Sequence, residues 1–243
     1  VFENMDVKKD VFRKLDAIVK DGAILASNTS YLNVDEMAAE TKRPGSVLGL
    51  HFFSPANVMK LLKIVRADHT ADDVIMTCMD LAKTINKVAV LVGVCPGFVG
   101  NRILFARQAQ AQKLVYKGAM PWDVDAALNA FGFRMGPYQM SDLAGNDIGY
   151  NVRKDFGWTF PASALADKLV ESGRLGQKTG GGWYDYDAKR KPNPSAAVET
   201  MIVEHSAAAG AMRRPMGADE VLDRCLLPMV NEVRADRSPP SPH

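Results

Sequence analysis

Val88-Ala89-Val90-Leu91-Val92-Gly93-Val94-Cys95-Pro96-Gly97-Phe98-Val99-Gly100-Asn101-Arg102 divides the chain into two kinds of sequence. Its first five residues are continuously apolar and mostly β-branched, the pattern of a strand buried on both faces. Pro96-Gly97 breaks that strand, and a helical period then runs from Val99 to Tyr116. Upstream, apolar runs at 23–26, 47–50 and 61–65 alternate with helical stripes over 6–19, 34–40 and 72–86. Such alternation predicts an α/β layer with a buried, mostly parallel sheet. Downstream the strand signals stop. Helices are expected over 99–116, 122–130 (closed by Gly132), 163–172 and 217–233, the last kinked at Pro228. Residues 173–186 read as a glycine-rich loop, 192–194 as a linker and 238–243 as a disordered Pro-Ser tail.

The 243 residues are 47% hydrophobic, enough for one large core or two modest ones. A net charge of +2 offers no basic stripe, so no nucleic-acid partner is expected. Apolar runs such as 88–94 are too short to span a bilayer, and no membrane partner is expected either. Cys78, Cys95 and Cys225 are odd in number and lack metal-ligand spacing. They read as free thiols in a reducing compartment, with no metal site. These features make a cytoplasmic protein the default. The chain starts at Val1 and ends in the Pro-Ser run, so both ends read as cuts within a longer protein.

Three stretches carry candidate chemistry. Leu50-His51-Phe52-Phe53-Ser54-Pro55 puts an imidazole at the end of an apolar strand, the edge at which doubly wound sheets bind ligands. His51 there reads as a general base or as a satisfied core histidine. Ser27-Asn28-Thr29-Ser30 also follows a strand; it suits a helix cap, or a grip on an oxygen of substrate or cofactor. Asn101 and Arg102 fall on the first turn of the long helix, as capping residues or as anchors aimed at a substrate. Lys178-Thr179-Gly180-Gly181-Gly182 has the wrong order for a phosphate loop and reads as structural.

With Val1-Phe2-Glu3-Asn4 and Lys8, these stretches resemble the 3-hydroxyacyl-CoA dehydrogenase family. Gly136-Pro137, Ser141-Asp142-Leu143-Ala144-Gly145-Asn146-Asp147, Gly173-Arg174-Leu175-Gly176-Gln177-Lys178-Thr179-Gly180 and Gly182-Trp183-Tyr184 extend the likeness. It is greatest to the dehydrogenase part of multifunctional fatty-acid β-oxidation enzymes, and it covers about 1–232. The resemblance implies the later part of a Rossmann domain over 1–94 and an all-α substrate and dimerisation domain over 95–190. Residues 191–243 are then a linker, a shortened second helical domain and the tail.

The implied reaction is oxidation of L-3-hydroxyacyl-CoA to 3-oxoacyl-CoA with NAD as cofactor. His51, Asn101 and Ser30 are the implied catalytic residues: His51 takes the hydroxyl proton, Ser30 holds the substrate oxygen, and Asn101 positions both. Glu3, Lys8, Ser30 and Ser54 are the implied cofactor-binding residues on the nicotinamide side. The implied partners are an acyl-CoA substrate and either a second copy or other domains of a multifunctional chain. The implied compartment, in a eukaryote, is the peroxisome.

Two departures bear on activity. Lys63 stands where the family has a glutamate that orients the histidine. A cation there disfavours imidazolium, unless Lys63 snorkels to solvent. A loss of roughly 10²–10⁴ in turnover is expected by comparison with other triads deprived of their carboxylate. The glycine-rich GxGxxG stretch that holds a dinucleotide pyrophosphate is absent from the sequence. Both departures leave a second reading open, a catalytically inactive remnant that serves as a packing module.

Overall fold

The computed structural model describes residues 3–155 and 163–235. The chain packs as two compact units, Val1–Arg102 and Ile103–His243.

In the first unit, helix α1 (Met5–Ile18) starts where the Asn4 side chain accepts the Val7 N–H, and it turns Phe12 inward. Strand β1 (Leu25–Ser27), helix α2 (Val34–Ala38), strands β2 (Val47–Phe52) and β3 (Leu61–Arg66), helix α3 (Asp72–Thr84) and strand β4 (Val88–Gly93) follow. The sheet order is β1-β2-β3-β4. β1 with β2 and β3 with β4 are parallel, whereas β2 and β3 run antiparallel.

Period-two alternation gives this sheet two faces. Val47 and Val65 face α1 and α2 and share a core with Phe12, Leu25, Met37 and Phe98. Leu48, Leu62 and Ile64 face α3 and pack on Val74, Cys78 and Ala82. The doubly buried character expected of β4 does not hold. As the last strand of the order, it leaves Val88, Val90 and Leu91 58%, 41% and 43% exposed.

The second unit holds most of α4 (Phe98–Lys117), then α5 (Pro121–Phe131), α6 (Pro137–Ala144), α7 (Asn146–Asp155) and α8 (Ala164–Glu171). A hairpin of β5 (Tyr184–Tyr186) and β6 (Pro192–Pro194) leads into α9 (Ala196–Ala208) and α10 (Ala218–Ala235). The expected linker at 192–194 is therefore a strand. Its prolines sit on a ribbon whose only ladder partner among the described residues is β5, where a missing N–H is tolerated. Leu114, Leu128, Tyr138, Leu169, Trp183, Val198, Ile202, Val221 and Cys225 form one core, so α9 and α10 close over the same interior as α4 to α8. Helix α10 continues through Pro228. The tail at 238–243 lies outside the described residues.

Two buried carboxylates tie this unit together. Asp142 accepts from the N–H groups of Trp183 (2.9 Å) and Tyr184 (3.0 Å), from Asn146 Nδ2 (2.8 Å) and from the Tyr186 hydroxyl (3.0 Å). Asp125 accepts from the N–H groups of Tyr138 (3.0 Å) and Gln139 (2.9 Å) and from the Tyr184 hydroxyl (2.8 Å). A Cβ at Gly136 would overlap the Asp125 carboxylate, and one at Gly182 would overlap that of Asp142. The quoted stretches around 136–147 and 173–184 are thus accounted for by packing.

Candidate active site

β1 and β2, being parallel neighbours, deliver Ser27-Asn28-Thr29-Ser30 and His51 to one edge of the sheet. Asn28 Oδ1 accepts the Phe52 N–H (3.0 Å) and fixes the polar turn beside the end of β2. Ser30 Oγ then lies 3.1 Å from His51 Nε2. The Ser30 N–H donates to Glu3 Oε1 (2.8 Å), as does the Thr29 hydroxyl (2.5 Å). Glu3 Oε2 is paired at 2.9 Å with Lys8 Nζ, which also donates to Ser27 Oγ (3.0 Å) and to the Asn28 carbonyl (3.4 Å). Burial alone would raise the Glu3 carboxyl, but these donors hold it below its ordinary value. Four expected site residues, Glu3, Lys8, Ser30 and His51, therefore form one continuous network.

Two others are not drawn in. Ser54 lies on the exposed turn after β2, with no hydrogen bond of its side chain to this network. Asn101 is held through its backbone N–H to the Gly97 carbonyl (3.2 Å), and its side chain makes no hydrogen bond to His51. Its neighbours Phe98 and Gly100, on the same first turn of α4, do reach the histidine's surroundings.

Lys63 is directly opposite His51 in the β2–β3 register, on the same face of the sheet. It does not snorkel: its relative exposure is 1%. Nζ sits 5.0 Å from the ring centre of Phe53 and 5.5 Å from that of Phe98. The His51 ring lies 4.9 Å and 6.0 Å from the same two rings. Lys63 Nζ and His51 Nδ1 are both buried with no hydrogen-bond partner. Burial, reinforced by the Lys63 charge and opposed by Glu3, pulls the imidazole down to about 4. Burial likewise pulls the Lys63 ammonium down to about 8.

Phe53, Phe98 and Thr29 were not among the expected site residues. Phe98 is fully buried at φ 52°, a strained backbone for a bulky residue. Its place after Pro96-Gly97 was the available signal.

The donor set suits the phosphate-free end of a dinucleotide. Lys8 is already neutralised by Glu3, so the turn after β1 presents hydroxyls, amides and a closed ion pair; the unpaired cation at this edge, Lys63, is buried against Phe53 and Phe98. An imidazole linked to a hydroxyl can accept a proton there from an alcohol.

Residues 1–95 match the family model for the 3-hydroxyacyl-CoA dehydrogenase NAD binding domain, and residues 97–186 match that for the C-terminal domain. The chain belongs to the 3-hydroxyacyl-CoA dehydrogenase family, whose cofactor is NAD. In particular it is 47% identical over 250 residues to the peroxisomal bifunctional enzyme of Cavia porcellus, covering 96% of this chain and 34% of that protein. The chain thus spans about a third of the length of the curated relatives it matches. Among solved structures it resembles the dehydrogenase part of multifunctional enzyme 1 from C. elegans (TM-score 0.66, 34% identity, 96% of this chain and 53% of that one). It also resembles 3-hydroxybutyryl-CoA dehydrogenase from Escherichia coli K12 (TM-score 0.72, 36% identity, 79% of this chain and 43% of that one).

Proposed function

We propose that this chain is the dehydrogenase part of a peroxisomal multifunctional enzyme of fatty-acid β-oxidation, acting on the 3-hydroxyl of an L-3-hydroxyacyl-CoA. NAD, when bound, supplies the hydride acceptor. His51 takes the hydroxyl proton at Nε2, Ser30 Oγ holds the substrate oxygen, and Asn101 positions substrate from the first turn of α4. Glu3, Lys8, Ser30 and Ser54 hold the nicotinamide end of the cofactor. The observation that carries this reading is the 3.1 Å contact between Ser30 Oγ and His51 Nε2, anchored through Ser30 N–H to the Glu3–Lys8 pair. The relatives' peroxisomal names support that compartment over the cytoplasmic default, and their greater length supports packing against other domains of one chain.

Turnover near neutral pH is held down by Lys63, whose buried charge opposes protonation of His51. Oxidation of NADH with acetoacetyl-CoA tests both statements, with the chain alone and joined to the N-terminal segment of a relative. His51→Ala should abolish turnover, and Lys63→Glu should raise it by roughly 10²–10⁴. Turnover that survives His51→Ala overturns the reading of the site. Turnover unchanged by Lys63→Glu removes the impairment alone, and none in any form favours the inactive packing module.

A further inference from the structure

Lys63 Nζ and His51 Nδ1 are both orphaned. They belong to directly opposed residues, on one face of the sheet, beneath the same two aromatic rings. Both are buried from bulk solvent, and an unpaired buried polar atom is costly. A neutral imidazole has one donor and one acceptor nitrogen, and which is which follows from its partners. His51 Nε2 faces the Ser30 hydroxyl, which serves in either role. The choice of tautomer therefore falls to whatever approaches Nδ1.

We propose that Lys63 is a positioning residue that sets the tautomer of His51. As an ammonium it donates to Nδ1 and leaves the imidazole proton on Nε2, where the ring cannot act as a base. As a free amine it accepts from Nδ1–H and leaves the Nε2 lone pair facing Ser30 and the substrate hydroxyl. In passing between the two forms, Lys63 gives a proton to Nδ1 and Nε2 loses one to solvent, a net release of one proton. This inference rests on the proposed role of His51 as base and adds the group that arms it.

The surroundings permit the exchange. A Cβ built on Gly100 would lie 3.4 Å from Nζ, so α4 packs on the amine there through a glycine, with no side chain between them. The four-carbon stem of lysine can carry Nζ towards Nδ1 without moving the strands. Strand β4 brings no titratable side chain to Lys63, and α3 packs on the opposite face of the sheet. The titratable groups that bear on the pair are His51 on β2, half-buried Cys95 before α4 and, beyond His51, the closed Glu3–Lys8 pair. Burial brings the amine's titration down to about 8, within reach of ordinary buffers.

Nitrogen-15 spectra of the imidazole rings between pH 6 and 10 test this directly, with His51 assigned by its loss in His51→Asn. His51 should pass from the Nε2–H to the Nδ1–H pattern with a midpoint near 8. Lys63→Arg, which stays charged, should hold the Nε2–H form throughout, and Lys63→Met should show one tautomer at every pH. In the direction of 3-hydroxybutyryl-CoA oxidation, kcat should rise roughly tenfold from pH 7 to 9, and Lys63→Arg should lose that rise. A single His51 tautomer across the range, or a switch that persists in Lys63→Arg, overturns the proposal. A switch without turnover at any pH keeps it and removes the functional reading instead.

Discussion

Buried charge is satisfied at two carboxylates of the second unit and unsatisfied at a lysine–histidine pair of the first, while the second unit also leaves Arg107 Nε without a hydrogen-bond partner. In the second, Asp142 and Asp125 gather four and three donors, from backbone and side chains brought together across α5, α6, α7 and the β5 hairpin. In the first, Lys63 and His51 each keep a buried nitrogen with nothing bonded to it. Saturated buried carboxylates fix one arrangement of loops and helices, so they act as scaffold. Unsaturated groups are costly, and a fold that keeps them holds them for chemistry or in spite of it.

The contrast can be broken most forcefully at Asp142. Asp142→Ala strands its four donors and should cost about 3–5 kcal/mol, measured by urea unfolding. A loss below about 1 kcal/mol would mean that the tie is not structural. Next comes Gly136→Ala, whose methyl would overlap both the Asp125 carboxylate and the Asp125 Cα; a loss of about 1–3 kcal/mol is expected in the same assay.

A smaller effect separates the two aspartates from ordinary surface carboxylates. Burial raises Asp125 from an ordinary 3.8 to about 6, against the donors that favour its charge. Between those values the folded chain binds more protons than the unfolded one, so this group's contribution to stability falls as pH rises through 4–6. The stability gap between wild type and Asp125→Asn should therefore be larger at pH 4 than at pH 7, by on the order of 1 kcal/mol. A gap that widens towards pH 7 contradicts this.

Much of the first unit was legible because its signals are local. The stripe through Val11, Phe12 and Leu15 marks α1, and the uninterrupted run at 61–65 marks β3. The second unit was harder. Helix α9 scatters Glu199, Glu204 and His205 around its circumference, so no apolar stripe marks it. Pro192 and Pro194 read as breakers because the partner that makes them a strand is another segment. At the site, Lys63 stood out as a charge in an apolar strand. That it faces His51 and not water depends on the β2–β3 register, which no local pattern reports. Asn101 shows the reverse: its place on the first turn of α4 was legible, but a bond to His51 was not found.

Lys63 is desolvated and has no counter-charge, and the pH dependence of the unfolding free energy of wild type and Lys63→Met measures that most directly. The folded ammonium titrates at about 8 and the unfolded one at about 10.5, so the unfolded chain binds more protons between them. Wild-type stability should therefore gain from this group as pH rises through 8–10.5. Lys63→Met should be more stable than wild type by about 1–3 kcal/mol at pH 7, with the advantage shrinking across that window. A Lys63→Met variant less stable than wild type at pH 7, or an advantage that does not change with pH, would contradict the account.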